Sequence, residues 1–296
     1  MAVNHKQHIM NKERLLHLMM AFLFGAFVVS CGAPEGNTGD TDEMIEEEVT
    51  DLEVTGDNEF LYSLPSPLQI ASIFRRSGLT YKPGLTNDPG LVSNYNTKFI
   101  RKLNFGGYAA DLAYSALNEQ NQACINYVKS LSELSESLWN TNVFSSVDIL
   151  NRFENNMGNP DSLGYIISDF QMELDTYLEE NGMSSNSLVI FSGAWIESMH
   201  LALQSMGENP NVMLMSRIIE QKKILMDLIS ILGQQESDAE LDVLIGHMKK
   251  ILTHFESYDV ESVENEDDLA GLTMSGPDMS LLRTDVEEAR KFMING

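Results

Sequence analysis

The chain has 296 residues, with 19 Lys and Arg against 44 Asp and Glu and a net charge of −25. That excess of negative charge opposes nucleic acid and anionic lipid as partners, because phosphate contacts would be repulsive. With only two cysteines there is no disulfide framework, so stability has to come from an apolar core.

The chain begins with a leader. Lys6, Lys12 and Arg14 precede an apolar run from Leu15 to Val29, which ends in Val28-Val29-Ser30-Cys31. A basic segment, a short apolar core and a small-residue cleavage site together make a secretory signal peptide. The run falls short of the roughly 20 residues a spanning helix needs. Val-Val-Ser-Cys resembles the bacterial lipobox, where the signal is cut between Ser30 and Cys31 and the Cys is lipidated. The resemblance implies two or three acyl chains on Cys31, enough for a stable anchor. Gly32 after the Cys resembles an outer-membrane address rather than inner-membrane retention. Met10 is an alternative start, since Met-Asn-Lys-Glu-Arg opens a compact leader by itself. Loss of residues 1–30 removes three basic residues and one acid and leaves a charge of −27. Cys124 then has no intramolecular partner.

Residues 31–63 are rich in Gly, Pro, Thr and acids, from Gly32-Ala-Pro-Glu to Glu46-Glu-Glu-Val. Apolar residues are too sparse to offset the entropy of ordering, and the segment reads as a disordered acidic tether. Its acids resemble the surface-export signals of Bacteroidetes-type lipoproteins.

Folded sequence is expected over 64–296. Ser66-Pro67 marks a helix start, a capping Ser followed by Pro at the first helical position, and Gly78 stops that helix. A loop rich in Gly, Pro and Asn runs from Thr80 to Asn96, and its length implies either ordered packing or the border of a site. Phe99, Leu103, Gly106, Ala110, Ala113 and Leu117 alternate at four and three residues, a helical seam. Gly106 and Ala110 would let a second helix approach closely. Each Gly of Gly106-Gly107 costs about 1 kcal/mol against Ala, so packing must compensate or the helix breaks there. Cys124, Tyr127, Leu131, Leu134 and Leu138 form the next stripe, which makes Cys124 a buried thiol.

A short helix follows, capped by Ser145 or Ser146 and ended by Gly158 and Pro160. Another carries Leu163, Ile167, Phe170, Leu174 and Tyr177, with Asn181-Gly182 as its C-cap. Leu188 to Ile196 bears no charge, and a helix apolar on most faces is buried on most faces. Residues 187–206 are therefore expected to be the central helix. Asn209-Pro210 is expected to start a helix that ends at Gly233. Leu241, Leu244, Met248, Ile251 and Phe255 make a further seam. An acidic linker over 259–268 leads to a last helix near 278–294. No stretch alternates with period two, so no sheet is expected. The fold class is all-α, an irregular helical bundle or short α-solenoid of about eight helices. From Leu64 onward the sequence, Ser63-Leu-Pro-Ser-Pro-Leu-Gln69 included, resembles uncharacterised helical lipoproteins of Bacteroidetes, and that resemblance supplies no function.

Few residues point to chemistry. Glu197-Ser-Met-His200 is one Glu-x-x-His step, whereas di-iron bundles need two plus further acids. His247 and His254 lie about 10.5 Å apart along a helix, too far to share a metal, and read as flanking the Met248–Phe255 stripe. The acidic run at 259–268 lacks the order of a Ca²⁺ loop. Met199, Met206, Met213, Met215, Met226 and Met248 read as core filler. Tyr108, Tyr114, Trp195 and His200 are the candidates for a pocket near the glycine pair. No catalytic residue, metal ligand set or cofactor motif is identified.

The function expected is that of a lipid-anchored, extracytoplasmic binding or scaffolding lipoprotein of the cell envelope, at the outer membrane. It would hold an envelope protein or a small apolar ligand. One alternative is a hydrolase or lyase using two facing carboxylates where the Gly106–Tyr114 stretch meets the Thr80–Asn96 loop. A structural or metal-buffering envelope protein is the other.

Overall fold

The computed structural model describes residues 64–141, 143, 146–206, 211–263, 265, 268–269 and 271–295. The leader, Ser30, Cys31, the tether over 31–63, Ser145 and Asn209-Pro210 lie outside the described residues. Among those described the structure is all-helical, with ten α-helices and no strand. They are α1 (Pro67–Arg76), α2 (Lys98–Leu117), α3 (Asn121–Trp139), α4 (Ser146–Asn155), α5 (Pro160–Glu180), α6 (Ser184–Ser205), α7 (Val212–Glu220), α8 (Lys222–Leu232), α9 (Ala239–Leu252) and α10 (Gly276–Asn295). None is long and apolar enough to cross a membrane.

Local chemistry sets the ends of these helices. Ser66 caps α1 in a reciprocal box: Gln69 N donates to Ser66 Oγ at 3.2 Å, and Ser66 N donates to Gln69 Oε1 at 2.6 Å. Both orphan amides are thereby satisfied. Gly78 follows α1 at φ +100° and Gly182 follows α5 at +64°, a region that glycine enters without steric cost. Ten helices stand where about eight were expected. The run anticipated as one helix from Pro210 to Leu232 is two, because Gln221 at ψ −7° leaves helical geometry. Its N-cap is Asn211, which accepts from Met213 N and Leu214 N, rather than Asn209.

The centre of the bundle is α6. Every residue from Leu188 to Leu203 is buried, as the uncharged run Leu188–Ile196 implies. It packs on α2 above all, and also on α1, α5, α7, α8 and α10. One helix meeting so many others identifies a bundle, since solenoid units touch only their neighbours.

The α2–α6 crossing depends on two glycines. A Cβ at Gly106 would lie 1.8 Å from the Ile190 carbonyl oxygen, and one at Gly193 would lie 1.9 Å from that of Leu103. Helix α2 runs unbroken through Gly106-Gly107, so close packing replaces what glycine loses in propensity. Ala110 is buried on the same helix. The seam of α9 is equally regular and runs on into the 3-10 turn Thr253–Phe255: Leu241, Leu244, Met248, Ile251 and Phe255 are all buried. Of the six methionines singled out, Met199, Met206, Met215 and Met248 are buried and Met226 is exposed.

Candidate functional site

Two places adjoin the α2–α6 pair, one closed and one open. The closed one begins with acids in apolar helices. Asp111 lies in the apolar half of α2, and Glu197 is the sole charge between Leu188 and Leu203 of α6. Both are fully buried. A buried carboxylate needs a partner, and Arg290 of α10 supplies it. Arg290 Nε donates to Glu197 Oε2 at 2.7 Å and Nη2 to Oε1 at 3.0 Å, a two-pronged geometry that matches the carboxylate. Nη2 also reaches Asn87 Oδ1 at 2.6 Å and the Leu85 carbonyl at 3.2 Å.

Asn87 ties the 80–96 loop into this cluster. Its Nδ2 donates to Glu197 Oε2 at 3.2 Å and its backbone N to Asp111 Oδ2 at 3.1 Å. Burial first, and the Glu197 charge second, hold the Asp111 carboxyl well above the ordinary carboxylate range; Arg290 and the Asn87 amide oppose without cancelling. Asp111 Oδ1 meets no donor. The Glu197 side chain is the hydrogen-bonding group set against the Asp111 carboxyl.

Tyrosines fasten the rest of the loop. Tyr127 donates to the Asn87 carbonyl at 2.8 Å and Tyr108 to that of Asp88 at 2.8 Å. The Tyr95 and Tyr108 hydroxyls meet at 3.0 Å, and Lys82 N donates to Tyr114 Oη at 2.7 Å. Burial pushes the Tyr95 phenol up to about 12 and those of Tyr108 and Tyr127 higher still. These groups stay neutral and structural. The loop is thus ordered packing, with Asp88 capping a 3-10 turn over Pro89–Asn94.

His200 faces the loop from α6. Its Nε2 lies 3.3 Å from the Leu85 carbonyl, and its Nδ1 is 3.1 Å from Glu287 Oε2 without hydrogen-bond alignment. Burial, the largest influence, pulls this imidazole below its ordinary value, against Glu197 and Glu287. Of the four pocket candidates, Tyr108, Tyr114 and His200 bind the loop, whereas Trp195 is wholly buried with its indole N–H unpartnered. The two facing acids anticipated beside the loop do exist. Arg290, Asn87 and the loop backbone occupy the space around them and leave no position for a substrate.

The remaining singled-out groups are also engaged or enclosed. Cys124 is buried, and its thiol is raised to about 12 by burial, the state of an inert core thiol. The His247 ring stacks on Phe292 at 5.6 Å, and His254 Nε2 lies 2.7 Å from Asp285 Oδ2. Among the described residues no three His, Cys, Asp or Glu are grouped to hold a metal.

The open place is a cleft of about 190 Å³ on the other side of the crossing. Helix α2 supplies Phe105 and Ala109 to its floor. Leu174 and Leu178 come from α5, and Ile190, Phe191 and Ala194 from α6. Its mouth is polar. Ser66 and Gln69 stand at the start of α1, Gln171, Asp175 and Glu179 on α5, and Ser184 and Ser187 at the start of α6. Leu64 and Pro65 border it where the described chain begins. Tyr108, Tyr114, Trp195 and His200 do not line it.

Sequence reasoning placed two facing acids beside the 80–96 loop without identifying Asp111, Glu197 or Arg290, and it missed the cleft. The cluster joins residues up to 205 apart in the chain, yet it left one local signal: a lone acid in the apolar stretch of each of two helices. The cleft left none, because its floor residues are indistinguishable in sequence from packed core. No protein-family model, no curated protein and no solved structure matches the chain.

Proposed function

We propose that this all-α chain is a lipid-anchored binding lipoprotein of the bacterial cell envelope, held outside the cytoplasm by acylated Cys31, and that its domain seats a small ligand with an apolar body. The cleft at the α1–α2–α5–α6 junction carries this reading. It joins an apolar floor to a mouth of polar side chains, the usual composition of a small-molecule site. A cavity of roughly 150 Å³ lined by Leu, Ile and Phe accepts benzene, so the space suits a single ring or a short aliphatic chain. The leader supports the anchor independently, through a basic segment, a short apolar core and Val28-Val29-Ser30-Cys31.

Two measurements test the proposal. Cells fed a clickable palmitate analogue should label the wild-type protein and leave the Cys31→Ser variant unlabelled and released from membranes. The mature chain, residues 31–296 carrying Cys31→Ser, should bind benzyl alcohol in saturation-transfer NMR, and Ala109→Phe should abolish the signal while circular dichroism stays helical. Labelling that survives Cys31→Ser removes the anchor. An unchanged signal in Ala109→Phe removes the cleft.

A further inference from the structure

The charge at the mouth of the cleft restricts what can enter. Asp175 and Glu179 lie one helical turn apart on α5, and residues at that spacing share a helix face. No Lys, Arg or His lines the cleft among the described residues. Nor does either acid form an ion pair with a described residue. Asp175 is held only by Gln171, whose Nε2 donates to both carboxylate oxygens at 3.1 Å. Gln171 therefore spends its donor on Asp175 without neutralising it. The other polar groups are neutral, and the Ser66 side chain and Gln69 Oε1 are used in the α1 cap.

An apolar pocket beneath two unneutralised carboxylates is complementary to a ligand of one kind. Its body must be apolar and small enough for about 190 Å³, and its head must be cationic or a hydrogen-bond donor. A carboxylate or phosphate head would meet Asp175 and Glu179 with no cation to offset them. The overall charge of −25 adds to that bias, since a field of one sign concentrates counter-ions of the other.

We propose that the cleft binds a small amphiphilic amine: a ring or short alkyl chain seated on Ala109, Ile190 and Phe191, with its ammonium between Asp175 and Glu179. This rests on the cleft being a ligand seat, as argued above, and adds the chemical class. The acids select and the floor holds. Fatty acids and anionic phospholipid headgroups are disfavoured by the same charges that admit an amine.

Three ligands of matched shape test the class: benzylamine, benzyl alcohol and benzoate, titrated into the mature chain with Cys31→Ser and followed by saturation-transfer NMR and calorimetry. Benzylamine should bind about five-fold tighter than benzyl alcohol, the scale of a solvent-accessible ion pair, and benzoate should bind more weakly than either. The paired change Asp175→Asn with Glu179→Gln should bring benzylamine to parity with benzyl alcohol and leave benzyl alcohol unaffected. Both sites are exposed, so the fold should survive. Raised salt should likewise narrow the preference. Equal binding of all three ligands, or an amine preference that survives the double substitution, overturns the amine class while the cleft stands. Binding of none to a folded chain overturns the seat itself and the amine with it.

Discussion

The two sides of the α2–α6 crossing treat their side chains in opposite ways. On one side the chain buries its most costly groups, Asp111, Glu197 and Arg290, and satisfies them with Asn87, Leu85 and the 80–96 loop. On the other it leaves apolar floor residues under an open mouth and keeps the acids at the rim. The densest collection of titratable groups is therefore the part with least freedom to react. Perturbed carboxyls mark active sites, but a raised carboxyl such as Asp111 marks a structural lock too, and access decides between them. Asp111 and Glu197 have no access. The cleft is open to solvent.

The comparison is tested most severely at Arg290. Arg290→Ala leaves Glu197 buried without its cation and removes two of the loop's anchors. Breaking a buried pair from one side costs about 3–5 kcal/mol, so the variant should unfold at far lower denaturant, with the 80–96 loop losing amide protection first in hydrogen exchange. A loss below about 1 kcal/mol by chemical denaturation would mean that the cluster does not hold the loop. Gly193→Ala comes next. Its Cβ would meet the Leu103 backbone, which cannot step aside as a side chain could, and overpacking typically costs about 1–3 kcal/mol. Because the crossing underlies both sides, this change should weaken stability and cleft binding together, whereas Arg290→Ala in its residual folded population should leave binding intact.

Much of this architecture was legible in the sequence, and the exceptions have physical reasons. The Ser66 cap, the burial of 188–203, the close approach at Gly106 and the inert Cys124 all follow from patterns within one helix. Each is decided by neighbours three or four residues away. The break at Gln221 was not legible, since Leu225, Ile229 and Leu232 continue the apolar stripe across it. Arg290 was invisible because α10 is a charged, half-exposed helix in which one Arg looks like any other. What singles it out is a carboxylate 93 positions earlier. The cleft depends on how far α5 stands from α2 and α6, a distance that no local pattern encodes.

Two isosteric changes of the same kind carry the comparison to its finest point. Asp111→Asn should keep the fold, because an amide can donate to Glu197 and accept from Asn87 as the neutral acid does. The sign of its effect follows from the direction of the shift. A carboxyl raised in the folded state binds its proton more tightly there, so its contribution is fully present below the unfolded value of 3.8 and is lost as pH rises toward the folded value. Asparagine needs no proton. The variant should therefore match or exceed wild type by about 1 kcal/mol at neutral pH, with a flatter melting temperature between pH 4 and 8. A melting point that falls at neutral pH would show that Asp111 is ionised and that the pairing described above is reversed.

Asp175→Asn is the smallest change in stability and the sharpest contrast. Loss of surrounding water raises this carboxyl above its ordinary range while Gln171 pulls it down, yet the residue as a whole is exposed and has no cation to hold. Its removal should shift stability by no more than about 0.5 kcal/mol, as for surface substitutions generally, and still weaken benzylamine. If instead Asp175→Asn destabilised the fold as strongly as Arg290→Ala, the acid at the mouth would be another structural lock, and the division between a closed side and an open side would fail at that residue.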